Sequence, residues 1–211
     1  VRPRHRPREA ALTPEDWDTR YAGAELVWSA SANTFVAAEV ERLAPAPGRA
    51  LDLAAGEGRN AVWLAERGWA VTATDFSPVG LAKARALAEA RGVALTLVEA
   101  DATQPVPDAT PFDLVVVAYL QLPAEPLGRA LGHAADAVAP GGTLIAVGHD
   151  VDNLAHGHGG PPDPTLLWSA ERVAAALDGL ALERAERVTR EVATDDGPRQ
   201  AIDTLVTAHR R

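Results

Sequence analysis

The chain reads as an α/β protein built on a mostly parallel sheet with helices on both faces. Three observations predict this. Short apolar strands alternate with helical stretches over residues 33–148, the pattern of linked β-α-β units. A loop of small residues, Ala54-Ala55-Gly56-Glu57-Gly58, joins the first strand to a helix. The chain then finishes differently, with two strand-like runs facing each other across Asp195-Asp196-Gly197-Pro198, a hairpin signal.

Each element follows from its residues. Asn33 to Leu43 is helical, with Phe35, Val36, Val40 and Leu43 on one side. Ala44-Pro45-Ala46-Pro47-Gly48 ends it. Ala50 to Leu53 is the first strand and Ala61 to Arg67 the helix after the loop. Trp69 to Thr74 is the second strand, and Pro78 to Arg91 a helix with Ser77 as its N-cap and Gly92 as its stop. Ala94 to Glu99 reads as the third strand. Phe112 to Ala118 is a continuous apolar run, as expected of a strand buried on both faces. Pro126 to Val138 is helical, and Pro140-Gly141-Gly142 turns the chain into the fifth strand, Thr143 to Gly148. A helix over Ser169 to Leu177 precedes the hairpin of Ala181 to Val192 with Gln200 to Ala208.

Composition excludes several classes. The 211 residues suffice for one large domain with its own core. The formal charge of -9 argues against a nucleic-acid surface. Arg2, Arg4, Arg6 and Arg8 do form a basic arm, which reads as a Pro-interrupted tail. Cysteine is absent, so no disulfide or thiolate chemistry is expected. No apolar run approaches the ~20 residues of a membrane span, and no apolar segment follows the basic start as it would in a secretory signal. A cytoplasmic protein is expected, touching neither membrane nor nucleic acid, with room for a homodimer. The near-replacement of lysine by arginine (Lys83 is the only lysine) fits the coding bias of a GC-rich bacterial genome.

The first-strand loop carries the chemistry. Gly56 and Gly58 let the backbone turn sharply and lie against a ligand, and the following helix offers free N–H groups. Asp75 ends the second strand roughly 20 residues on, where an acid accepts from both hydroxyls of a ribose. Asp101 follows the third strand, where a carboxylate accepts from an adenine amino group and the Ala102 N–H meets a ring nitrogen. Phe76 is placed to lie on the adenine face. A pyrophosphate cofactor favours a third Gly, which is Ala61 here, and Glu57 puts a negative charge beside the loop. An ammonium and a sulfonium would not be repelled.

These residues resemble the class I S-adenosylmethionine-dependent methyltransferases. Their pattern of acid-x-Gly-x-Gly-x-Gly corresponds to Asp52 through Gly58, with Asp75 and Asp101 as the ribose and adenine acids. Phe112-Asp113-Leu114-Val115 and Pro140-Gly141-Gly142-Thr143-Leu144 are similar to the family's fourth and fifth strands. Gly56-Glu57-Gly58-Arg59-Asn60, with Gly68-Trp69-Ala70-Val71, looks like the tellurite-resistance and thiopurine methyltransferase branch. The resemblance implies a Rossmann-like three-layer sandwich with strand order 3-2-1-4-5-7-6 and an antiparallel last strand. It implies S-adenosylmethionine as cofactor, S-adenosylhomocysteine as product and a small molecule as acceptor through S, N or O. Ala54 stands where the family has its first loop Gly, which suggests no strained backbone there.

The resemblance also divides the chain. Residues 1–32 form an arm and an aromatic lid, and residues 33–211 the methyltransferase domain. Trp17, Tyr21 and Trp28 would fold over the cofactor, with Arg20 or Tyr21 on the methionyl carboxylate; alternatively they only pack the segment onto the core. Asp52, Ala54, Gly56, Glu57, Gly58, Asn60, Asp75, Phe76, Ser77, Asp101, Ala102 and Ala118 complete the expected cofactor set. Tyr119 and His149 border the acceptor, His149 as a candidate base. Asp150, Asn153, His156 and His158 follow in a Gly- and Pro-rich loop; it offers a metal no rigid geometry, and none is expected. Ala118-Tyr119-Leu120-Gln121 departs from the Asn/Asp-Pro-Pro-Tyr pattern of base-methylating enzymes. Glu191 to Thr194 has no His, with only Arg190 and Arg199 near it, which argues against an oxyanion such as tellurite. A non-catalytic cofactor-binding module is an alternative. So is an NAD(P)-dependent oxidoreductase, though the chain has no Tyr-x-x-x-Lys.

Overall fold

The computed structural model describes residues 13–27, 29–43, 45–107, 110–194 and 196–211. The basic arm and Trp28 lie outside them. Seven strands form one sheet in the order β3-β2-β1-β4-β5-β7-β6. They are β1 (Arg49–Leu53), β2 (Ala70–Asp75), β3 (Thr96–Glu99), β4 (Phe112–Ala118), β5 (Val138–His149), β6 (Ala181–Val192) and β7 (Arg199–His209). The first five run parallel, and β7 inserts antiparallel between β5 and β6. The expected topology is therefore the observed one.

The helices are α1 (Pro14–Tyr21), α2 (Thr34–Leu43), α3 (Arg59–Ala65), α4 (Pro78–Ala90), α5 (Ala124–Asp136), α6 (Asn153–His156) and α7 (Ala170–Ala176), with a single 3₁₀ turn at Pro164–Leu166. Strand alternation sends side chains to two cores. Val115 and Val117 of β4 meet Leu127 and Leu131 of α5 on one face. Leu114 and Val116 meet Val36 of α2 and Leu64 of α3 on the other. The result is the anticipated three-layer sandwich.

Caps fix several boundaries. Ser77 accepts from the Gly80 N–H at the start of α4, as its sequence position predicts. Asn33 caps α2 rather than opening it, its Oδ1 accepting from the Phe35 and Val36 N–H groups. α1 is an addition to the elements read from the sequence, started by a capping box between Thr13 and Asp16 with Pro14 in the first turn. Its only buried residue is Tyr21, so it has little of the apolar periodicity that announces a helix. Among the described residues no helix is long and apolar enough to cross a membrane.

Ala54 corrects an expectation. Its φ is 58°, in the left-handed region where a Cβ crowds the carbonyl and costs roughly 1–2 kcal/mol. The missing Gly therefore leaves strain in the loop. Ala54→Gly should stabilise the protein by about 1 kcal/mol after the entropic cost of Gly. Thermal melts should show Tm rising by roughly 2–4 °C; an unchanged or lower Tm would show that the loop carries no strain.

Candidate active site

Two neighbouring cavities open at the carboxyl ends of β1, β2, β4 and β5, the edge where open α/β sheets bind ligands. The smaller, about 90 Å³, is lined by Gly56, Asp75, Ala118 and Tyr119, with Trp17 and Tyr21 on the far side. The larger, about 680 Å³, contains Arg20, Asn33, Arg59, Tyr119, His149 and Arg190 in its wall. Arg59 and Tyr119 line both.

The smaller cavity is organised by Asp75. Its carboxylate accepts from the Gly56 N–H at 2.8 Å and the Ser77 N–H at 2.9 Å. It is buried, which raises its pKa above the usual carboxylate value. Each oxygen keeps a further lone pair after one backbone bond. Gly56 and Gly58 sit at φ 54° and 78°. A Cβ on Gly58 would lie 2.6 Å from the Ala84 Cβ of α4, and one on Gly56 2.7 Å from the Tyr21 hydroxyl. Gly58 thus serves helix packing, and Gly56 the approach of another group to the loop.

The α1 segment covers this cavity. Tyr21 is buried and stacks on Trp17 with centroids 5.4 Å apart. Ser77 donates to Asp18. Lys83 donates to the Glu25 carbonyl at 2.6 Å and to Glu57 at 3.0 Å, and Glu57 also accepts from the Val27 N–H. Glu57 is therefore a buried, paired charge that ties down the 25–27 segment. Its negative charge is matched by the only lysine, so it does not act as the bare repulsive charge the loop sequence suggests.

Other expected residues stand apart. Asp52 is buried and accepts from the Ala61 N–H at 3.0 Å, bracing α3 from below. Asn60 accepts from the Asn33 N–H and lines the smaller cavity, as do Ala54 and Glu57. Asp101 is exposed and accepts from the Thr103 N–H and hydroxyl, while Ala102 is buried and Phe76 half-buried. None of these three lines either cavity. In the loop after β5, Asp150 and Asn153 are structural: Asp150 accepts from Thr204, and Asn153 bonds the Ile202 N–H and the Gly159 carbonyl. His156 and His158 are exposed. Gly160, Pro161 and Pro162 of that loop do line the larger cavity.

The larger cavity is built on a residue the motifs did not mark. Asp203 of β7 is fully buried and stands opposite His149 of β5 in the antiparallel register. One carboxylate oxygen is 3.1 Å from His149 Nδ1. The other accepts from the Tyr119 hydroxyl and Arg190 Nε, both at 2.8 Å. Burial alone would raise the Asp203 pKa, but His149, Arg190 and Tyr119 hold it below the usual value. Burial first, and Asp203 second, push the Tyr119 phenol up to about 12. Tyr119 itself has φ 57° and tilts its ring against His149 at 4.8 Å. Its hydroxyl also accepts from Asn33 Nδ2 and Arg190 Nε. Of the two arginines expected near Glu191 to Thr194, the hairpin brings Arg190 to this cavity. The histidine comes from the end of β5 instead.

The chain is similar to known proteins in sequence and fold. Residues 50–142 match the family model of a methyltransferase domain. A demethylmenaquinone methyltransferase of Thermus thermophilus is 41% identical over 128 residues, 59% of this chain and 55% of the relative. The chain thus spans about half the length of the relative it matches. A structure solved in work on the conversion of a disulfide bond into a thioacetal group during echinomycin biosynthesis superimposes with a TM-score of 0.75 at 23% identity, covering 93% of this chain and 91% of that one. The N-methyltransferase NodS of Bradyrhizobium japonicum, in complex with S-adenosyl-L-homocysteine, gives 0.69 at 20% identity, covering 93% and 97%. Over residues 50–142 the chain is thus similar to a methyltransferase domain, and its fold is that of these solved structures.

Proposed function

We propose that the protein transfers the methyl group of S-adenosylmethionine to a small-molecule acceptor at sulfur, nitrogen or oxygen. The observation that carries this reading is the Asp75 carboxylate, joined to the Gly56 N–H at the shared end of β1 and β2. Its free lone pairs suit the two ribose hydroxyls. The loop from Ala54 to Gly58 would lie along the methionyl end, and Asp101 with Ala102 along the adenine edge. When bound, the cofactor supplies an electrophilic methyl on a sulfonium. The demethylmenaquinone methyltransferase named among the relatives supports a small organic acceptor.

Residues 13–27 act in this reading as a lid, in line with a division between residues 1–32 and 33–211. A cavity of about 90 Å³ is below the range of roughly 300–1,000 Å³ typical of ligand sites, and Tyr21 fills the space beside Gly56. Entry of a nucleoside requires Tyr21 to leave that space. On the acceptor side, Asp203 lies 3.1 Å from His149 Nδ1 as a charge contact rather than an aligned hydrogen bond, and His149 Nε2 would take a proton from the acceptor. Tyr119 borders the acceptor with its hydroxyl already committed. The chain's remaining task is alignment and exclusion of water, which favours loss of charge between an anionic nucleophile and a sulfonium.

S-adenosylhomocysteine should bind with measurable heat. At about 100 times Kd it should add about 2.7 kcal/mol and raise Tm by roughly 5–10 °C. Mixing the protein with S-adenosylmethionine and panels of thiols, amines and phenols should yield S-adenosylhomocysteine. Absence of heat and shift overturns the reading; binding with no turnover across the panels favours a non-catalytic module.

A further inference from the structure

The proposed acceptor cavity has an unusual charge balance. The chain as a whole carries -9, yet three guanidiniums, Arg20, Arg59 and Arg190, come to this one space with only Glu191 at its rim. Arg190 is matched beneath by Asp203. Arg59 is not matched. It is half-buried at the start of α3, and among the described residues it has no hydrogen bond or ion pair. Its nearest ring is Tyr119, whose centroid lies 5.9 Å from the Arg59 guanidinium carbon and 5.7 Å from that of Arg190. Two cations thus flank one ring at the seam of the two cavities. Burial, with the like charge of Arg190 adding to it, lowers the Arg59 pKa below its ordinary value. A partly buried cation held by a ring face and the charge of Asp52, with no hydrogen-bonded acid, is a costly arrangement unless a ligand completes it.

We infer that Arg59 and Arg190 form an anion subsite, and that the acceptor is a small organic acid whose carboxylate pairs with them beside Tyr119. Guanidiniums suit this role because their planar donors match a carboxylate fork. A volume of about 680 Å³ admits an acid of drug-like size. A positively lined cleft on an acidic protein also concentrates anions and disfavours cationic amines. The substrate class rests on the methyltransferase reading above, but the anion subsite can be tested without it. Because Arg59 lines both cavities, its carboxylate could belong either to the acceptor or to the methionyl end of the cofactor, and the experiment separates the two.

The probe is 2-naphthoate against its neutral isostere 2-naphthamide, titrated calorimetrically with and without saturating S-adenosylhomocysteine. The acid should bind at least tenfold more tightly than the amide. Arg59→Gln should remove most of that preference while leaving the affinity for S-adenosylhomocysteine within twofold. Arg190→Gln provides a second variant with the same expected loss, and its melting curve reports whether the fold survives. Equal binding of acid and amide, or no binding of either, overturns the inference. So does an Arg59→Gln protein that loses S-adenosylhomocysteine but keeps naphthoate, since Arg59 would then serve the cofactor. If the wild type ignores S-adenosylhomocysteine yet prefers the acid, the anion subsite stands and the cofactor reading falls.

Discussion

Asp203→Ala should lower stability by about 3–5 kcal/mol at neutral pH, the range seen when one partner of a buried charge pair is removed. The carboxylate is fully buried and is the common partner of Arg190, Tyr119 and His149. Its loss leaves the partly buried Arg190 guanidinium without its carboxylate and the Tyr119 phenol with one fewer acceptor. At a urea m-value of about 2 kcal/mol/M, the midpoint should fall by roughly 1.5–2.5 M. The pH dependence fixes the cause. The folded pKa of Asp203 is depressed, so its contribution is present above the unfolded value of about 3.9 and is lost as pH falls through the folded one. The gap between wild type and variant should persist from pH 5 to 8 and narrow below about pH 4. A gap of constant size down to pH 3 would mean that the variant loses packing rather than charge. Asp203→Asn separates stability from chemistry, because it keeps an acceptor and loses the anion. If His149 takes the acceptor's proton, the Asn variant should lose kcat while its melting temperature falls less than that of the Ala variant.

Much of this molecule is legible in its sequence, for reasons that can be named. β4 shows as a continuous apolar run because both its faces are buried. The α4 boundary shows in Ser77-Pro78, a cap followed by a first-turn proline. On the proposed cofactor side, Gly56 and Asp75 are readable because they sit at strand ends in fixed chain order, where local pattern and position coincide. The proposed acceptor side is not, because it is assembled by pairing across strands. Asp203 meets His149 only through the β5–β7 register, which depends on contacts 54 positions apart, as in the Thr204–Asp150 bond of the same ladder. One signal was present: Asp203 is a lone carboxylate in a strand whose Ala201, Leu205, Val206 and Ala208 are all buried. A charge at such a place is seldom without partners. Ala54 escaped for the opposite reason, since nothing in an alanine announces a left-handed backbone. The Glu57–Lys83 pair joins the loop to α4, past α3 and β2, a distance local patterns do not span.

Asp52→Asn should make stability less dependent on pH, with an effect as large as that of Asp203 but opposite in sense. Asp52 is buried at the end of β1, and burial, opposed by the Ala61 N–H and Arg59 and reinforced by Asp75, pushes its pKa up to about 7. The folded chain therefore holds this proton more tightly than the unfolded chain, whose Asp titrates near 3.9. Stability from this group is fully present below about pH 4 and declines as pH rises to 7 and beyond, by on the order of 4 kcal/mol in all. An asparagine resembles the protonated acid in shape and keeps an oxygen for the Ala61 N–H. Wild type and variant should therefore match below about pH 4, and the variant should gain progressively, by up to about 4 kcal/mol, as pH rises past 7. Groups distant from Asp52 titrate alike in both proteins, so the difference between their urea midpoints isolates this carboxyl together with its coupling to Asp75 and Arg59. A difference that stays flat from pH 5 to 9 would place the Asp52 pKa back in the ordinary range. Removing the nearby cation with Arg59→Gln should strengthen the trend, because that guanidinium favours the ionised form of Asp52. The acid of the loop motif would then contribute to the fold chiefly as a neutral group, unlike Glu57, whose charge is paired with Lys83.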